Sequence, residues 1–131
     1  MNKEFIPYEQ ALALKELGFD VPSVAWYDES GAIHGTMIEN PVTKKDYATL
    51  LQAPLYQQAF RWFREKYNFV GTILGDGFNG ELKGYYYSIT EEGWINYYES
   101  IDDSKWYDTY EEAELACLRK LIEIIKNKEN E

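Results

Sequence analysis

Apolar residues recur at helical spacing in three stretches of the chain, and shorter runs rich in β-branched and aromatic residues lie between them. The first helix is predicted over residues 8–17. Pro7 suits its first turn, and Gly18 suits the left-handed residue that ends a helix. Ser23-Val24-Ala25-Trp26-Tyr27-Asp28 reads as a strand, Glu29-Ser30-Gly31 as a turn, and residues 32–37 as the second strand of a hairpin. Residues 39–53, with Pro41 and Leu50-Leu51, read as a loop carrying a helical turn. From Pro54 to about Tyr67 an amphipathic helix is predicted. Leu55, Ala59, Trp62 and Phe63 fall on one side, Tyr56 and Phe60 widen the stripe, and Gln57, Arg61, Arg64 and Glu65 face water.

Strands are then predicted over residues 69–74, 81–90 and 94–99, the first two joined by the turn Asp76-Gly77-Phe78-Asn79-Gly80. A further short strand is expected at residues 105–108. The last helix has the clearest start signal: Thr109 as N-cap with Glu112 three residues on, a capping box. Its buried face holds Ala113, Cys117, Leu121 and Ile124, flanked by Leu118, Ile122 and Ile125, and Lys126 and Lys128 complement the dipole at its end. The order α-β-β-α-β-β-β-α predicts an α+β fold: an antiparallel sheet of about four to six strands with helices packed on one face. At 131 residues this is expected to be a single domain, 1–131, ending in a short frayed polar tail at about 127–131.

Residues 53–67, APLYQQAFRWFREKY, resemble a stretch of small proteins encoded by gut-bacterial phages and prophages. Residues 109–124, TYEEAELACLRKLIEI, look like the closing helix of the same proteins, and Tyr8-Glu9-Gln10-Ala11 with Leu17-Gly18-Phe19 is similar to their opening. The resemblance implies a phage or mobile-element origin. That family has no established activity, so it implies no catalytic residue.

The start MNKEFIPYEQ lacks the apolar run of a signal peptide and no stretch approaches a membrane span, so a cytoplasmic location is expected. The net charge of -10, from 13 Lys+Arg against 23 Asp+Glu, opposes nucleic-acid binding, which needs cationic surface to displace phosphate counterions. The same acidity admits an alternative, an inhibitor that imitates nucleic acid in the basic groove of a host enzyme.

Catalytic constellations are missing. His34 is the only histidine and sits near a turn, so transition-metal ligands are few. Cys117, the only cysteine, falls on the apolar stripe of the last helix and reads as a core thiol. The run Gly75-Asp76-Gly77-Phe78-Asn79-Gly80 lacks a following Gly-Lys-Ser/Thr and reads as a hairpin turn, not a phosphate loop. Asp76 and Asp102-Asp103 lack the spacing of a calcium loop. No catalytic residue, cofactor site or metal site is assigned.

Five tyrosines and a tryptophan lie between residues 84 and 98. If Thr90-Glu91-Glu92-Gly93 forms a three-residue hairpin loop, Thr90 opposes Trp94, Ser88 opposes Asn96 and Tyr86 opposes Tyr98. The other face then pairs Ile89 with Ile95 and Tyr87 with Tyr97, adds Tyr85, and is assigned to the core. Tyr86, Ser88, Trp94, Asn96 and Tyr98 become a candidate interaction surface on the open face, extended by Leu74 and Leu82. Two readings of that face stand: cross-strand pairs that stabilise the sheet, or rings that grip a partner. The preferred function is a non-enzymatic accessory protein that contacts an unknown protein partner of host or phage, or a second copy of itself. A small-ligand or enzymatic module with a pocket lined by Trp62, Tyr85 and Tyr87 is the remaining alternative.

Overall fold

The computed structural model describes residues 4–35, 51–91 and 95–130. Most of the loop expected over residues 39–53, the end of the second predicted strand, and the turn tip Glu92-Gly93-Trp94 lie outside the described residues. The described elements are α1 (Tyr8–Glu16), β1 (Ala25–Tyr27), β2 (Ile33–Gly35), β3 (Leu51–Gln52), α2 (Tyr56–Tyr67), β4 (Phe69–Phe78), β5 (Glu81–Glu91), β6 (Ile95–Glu99), a 3₁₀ turn (Ser100–Asp103) and α3 (Tyr110–Glu129). The fold is α+β, as expected. Its six described strands, however, form two antiparallel sheets, β2-β1-β3 and β4-β5-β6, where one sheet was expected. Both edges of the three-residue β1 are occupied, by β2 and β3. The chain divides into two compact units, residues 1–59 and 60–131.

In the first unit, α1 ends as its sequence predicts. Gly18 takes φ 95°, its N–H reaches the Lys15 carbonyl at 3.0 Å, and the Phe19 N–H reaches that of Leu14 at 2.9 Å. This is a Schellman closure, and Leu14 and Phe19 are both buried beside it. The β1–β2 hairpin pairs Trp26 with His34. Residues 51–52, expected as loop, form β3, pairing Trp26 with Gln52. The buried Gln52 side chain accepts the Ser23 N–H at 2.9 Å, so a polar residue holds this short strand in place. Two residues are too few to show an alternating pattern.

In the second unit, α2 ends at Asn68, whose φ of 62° turns the chain directly into β4. On α2, Trp62 and Phe63 are buried, while Arg61 pairs with Glu65 at 2.8 Å on the exposed side. β4 and β5 form a long ladder whose strands continue through residues 76–78, so the expected glycine-rich turn narrows to Asn79 (φ 53°) and Gly80 (φ 79°). Two consecutive left-handed residues make the type I′ turn that matches strand twist. Helix α3 opens as predicted, with Thr109 Oγ1 accepting the Glu112 N–H at 3.1 Å, and it packs on β4 and β5. Its last turns are a correction: the residues expected to fray from Asn127 continue the helix to Glu129. Lys128 Nζ lies 5.4 Å from the centre of the Phe69 ring, and Glu129 accepts the Tyr67 hydroxyl at 3.2 Å. These contacts hold the polar end in the fold.

The helix sits close to the sheet because Gly71 has no side chain. A Cβ placed there would lie 2.8 Å from Cys117 Sγ and 3.3 Å from both Leu121 Cδ1 and Phe60 Cε1. Gly71→Ala is therefore expected to destabilise the protein by about 1–3 kcal/mol. Pairing it with Cys117→Ala should recover part of the loss, so that the double variant is more stable than the sum of the singles predicts. Chemical denaturation of the four proteins checks this, and additive losses would rule out the contact as the cause.

Candidate functional site

The second sheet has one face under α3 and one turned away from it. Gly71 pairs with Ile89 and Ile73 with Tyr87 on the helix side; Thr72 pairs with Ser88 and Leu74 with Tyr86 on the other. Tyr87 is 4% exposed and Ile89 is buried, as expected. The pairing of β5 with β6 differs from expectation in two steps. β5 extends to Glu91, which opposes Ile95, so the register starts two residues later than the sequence suggests. A shift of two keeps every side chain on its face. The ladder then slips by one: Thr90 opposes Asn96 but Ile89 opposes Tyr98, leaving Tyr97 as the extra residue of a bulge.

That bulge redistributes the candidate surface. Tyr98, expected opposite Tyr86 on the open face, lies on the helix side, its ring 5.7 Å from that of Tyr87 and Lys120 Nζ of α3 4.4 Å above it. Its hydroxyl donates to Asp103, and burial, followed by that neighbouring carboxylate, holds the phenol above its ordinary pKa. Tyr97, expected to pair with Tyr87 in the core, is 45% exposed and meets Phe69 edge to face at 5.1 Å. Tyr86 and Ser88 keep their predicted face. Ser88 is buried, standing between Thr72 and Glu99 on the neighbouring strands. The backbone of Asn96 opposes Thr90, and Trp94 lies outside the described residues.

The open face gains a ring that the sequence reading left out. Tyr107 bridges Tyr85 by two backbone bonds of 2.8 Å, a single bridge where a short strand was expected. Beside it, Trp106 crosses over Gly84, where a Cβ would come within 3.6 Å of the Trp106 Cβ and 3.0 Å of the Tyr107 carbonyl oxygen. The indole Nε1 then donates to Asp76 Oδ2 at 2.7 Å. Asp76 pairs with Gly84, one step along the open face from Leu74 and Tyr86. Trp106 is 47% exposed and Leu74 36%. The sequence signal was Gly84 itself, a glycine inside a strand, which marks the close approach of another segment.

A second surface lies wholly in the first unit. Tyr8, Leu12 and Lys15 on α1, with Trp26, Asp28 and Glu29 at the end of β1, line a groove of about 330 Å³. Asp28 organises the turn beneath it. Its Oδ1 accepts the Ser30 N–H at 2.9 Å, the Ser30 hydroxyl at 2.6 Å and the Ala32 N–H at 3.0 Å, and Oδ2 meets His34 Nε2 at 2.7 Å. These bonds, the Ser30 hydroxyl first and then His34 and Ala32, hold the carboxyl well below the usual carboxylate range. His34 also stacks on Trp26, ring centres 4.5 Å apart and planes 19° apart, so this histidine serves the hairpin. Tyr8 meets Tyr27 edge to face at 5.5 Å.

The remaining candidates are structural. Of the residues read as lining for a pocket, Trp62 and Tyr87 are buried, and Tyr85, partly exposed, meets the Tyr110 ring edge to face at 6.0 Å. Cys117 is buried and its thiol is pushed up, by desolvation and then by Glu114, away from the reactive thiolate form. Among the described residues no cluster of His, Cys, Asp or Glu is arranged to hold a metal, and no helix is long and apolar enough to cross a membrane. Comparison with family models, with curated proteins and with solved structures finds no match.

The Asp28 turn has a pH signature. Because the native carboxyl binds its proton less readily than the unfolded one, its stabilisation is present above the ordinary carboxylate pKa and is lost as pH falls through and below it. Asp28→Asn is expected to melt below the parent near about pH 7, with the gap starting to narrow only as pH falls below about 4. Thermal melts across that range check it. A gap independent of pH would mean that the carboxylate charge does not hold the turn.

Proposed function

We propose that this is a non-enzymatic accessory protein of a phage or related mobile element, working in the cytoplasm by protein–protein contact through the open face of the second sheet. The observation that carries the reading is Trp106: half exposed, yet fixed over Gly84 and bonded to Asp76 beside Leu74 and Tyr86. A ring already held in one orientation loses little rotamer freedom on binding, so its apolar area contributes more of its burial energy to a contact. Beside it, Asp76 accepts the indole N–H and Ser88 is buried. The resemblance of both long helices to phage-encoded proteins supports the setting.

The test is affinity purification from a host cell with quantitative mass spectrometry, comparing the parent with Leu74→Ser/Tyr86→Ser. The double variant should lose its partner by roughly tenfold or more while keeping the parent's circular dichroism. Light scattering after size exclusion separates the self-association form of the reading, in which the parent is a dimer and the variant a monomer. Equal partner recovery and an unchanged mass would remove the open face as the contact surface.

A further inference from the structure

We infer that the groove between α1 and the β1 turn is a binding site for a small organic ammonium ion. The inference is independent of the sheet face, since every group it uses lies in residues 1–59.

The lining combines two things that an alkylated ammonium needs. One is ring surface: Tyr8, Trp26 and Tyr27 all line the groove. His34 stacks on the indole of Trp26 but does not line the groove, so it backs the indole and leaves the remaining surface to a ligand. Tyr8 is held by its edge-to-face contact with Tyr27. The rings are therefore positioned without a ligand. Their faces carry the negative end of the aromatic quadrupole and attract a cation within roughly 6 Å.

The other is fixed negative charge. Asp28 stays ionised because its two oxygens accept three donors and contact His34, all from its own hairpin. Those bonds also orient it, so it contributes field and not a ligand bond. Glu29, next along the chain, has no hydrogen bond or ion pair among the described residues and is exposed at the rim. It is the group left to meet a cation directly. Among the described residues Lys15 is the one ammonium in the lining, set against two carboxylates, and His34 adds positive charge beside Asp28 only when protonated. The whole-chain charge of -10 adds to the same preference.

An alkylated ammonium fits this set better than a bare metal ion or a primary amine. A metal ion requires several oxygen donors with free lone pairs, and Asp28 has already committed its oxygens. A primary ammonium loses strong hydration on entering a site that offers one free carboxylate, whereas a methylated one is weakly hydrated and gains most from ring faces. The volume, about 330 Å³, is at the lower end of ordinary small-ligand sites.

The test uses choline and its uncharged isostere, in which a tert-butyl group replaces the trimethylammonium. Both are titrated into the full chain while the indole N–H signals are followed by ¹H–¹⁵N NMR, with Trp26→Phe identifying its own resonance. Choline should shift the Trp26 signal saturably, and the isostere should bind roughly tenfold or more weakly. Glu29→Gln and Lys15→Met change rim residues only, so both should fold. The first should weaken choline several-fold, and the second should tighten it by removing the competing cation. No saturable shift at about 10 mM choline, or equal binding of the isostere, would overturn the assignment. So would indifference to both rim substitutions.

Discussion

The second unit depends on one close approach, that of α3 to β4 at Gly71. Cys117 Sγ occupies space that any side chain at residue 71 would need. The depth of that seat decides which residues of α3 are core: Ala113, Cys117, Leu118, Leu121 and Ile125 are all buried. It also decides how far the polar side chains of the helix reach. Lys120 and Lys128 lie over the Tyr98 and Phe69 rings. The thiol serves as a volume-filling group, since burial disfavours its charged form. Chemistry at the lone cysteine is thus surrendered to packing.

Gly84 is the counterpart on the opposite face. There the missing side chain lets the 105–107 segment lie against β5, and Trp106 cross to Asp76. One glycine on each side of the sheet therefore admits one covering element, a helix on one face and an indole on the other. A residue with a Cβ at 71 would displace the helix, and one at 84 would meet a backbone carbonyl at 3.0 Å.

Local rules explain which parts of this were legible in the sequence. The Gly18 closure of α1, the Thr109 cap, the amphipathic face of α2 and the core face of α3 all follow from contacts within a few residues, and all are observed. The division into two sheets was not legible, because the pairing of β1 with both β2 and β3 is settled by distant residues such as Gln52. The aromatic surface was legible in half. Period-two alternation placed Tyr86 and Tyr87 correctly, but alternation holds only until a bulge inserts a residue, and no pattern announces one at Tyr97. Lys120 over Tyr98 and Phe69 beside Tyr97 are both consistent with the slip. The groove left a fainter trace. Tyr8, Leu12 and Lys15 share one helical face, and Asp28-x-Ser30-Gly31 is the pattern of a side-chain-capped turn, but nothing local joins them.

The two surfaces use the same kinds of ring for different ends, and what separates them is shape, an extended sheet face against a groove with two carboxylates at its end. On the sheet face the carboxylate of Asp76 takes one bond from the Trp106 indole, and Trp106 and Leu74 are the exposed large apolar side chains beside it. Such a surface discriminates by shape, and it is worth little until a partner covers enough of it to exclude water. In the groove the carboxylate of Asp28 accepts two backbone N–H groups and the Ser30 hydroxyl and meets His34 Nε2 at 2.7 Å, a contact that cancels its charge only when the imidazole is protonated, and Glu29 beside it is unpaired among the described residues. Hydrogen bonds to neutral donors orient a carboxylate and keep it ionised without cancelling its field. A field of that kind acts on a small cation without needing a large buried area. The same turn that makes Asp28 look structurally occupied is thus what leaves its charge available.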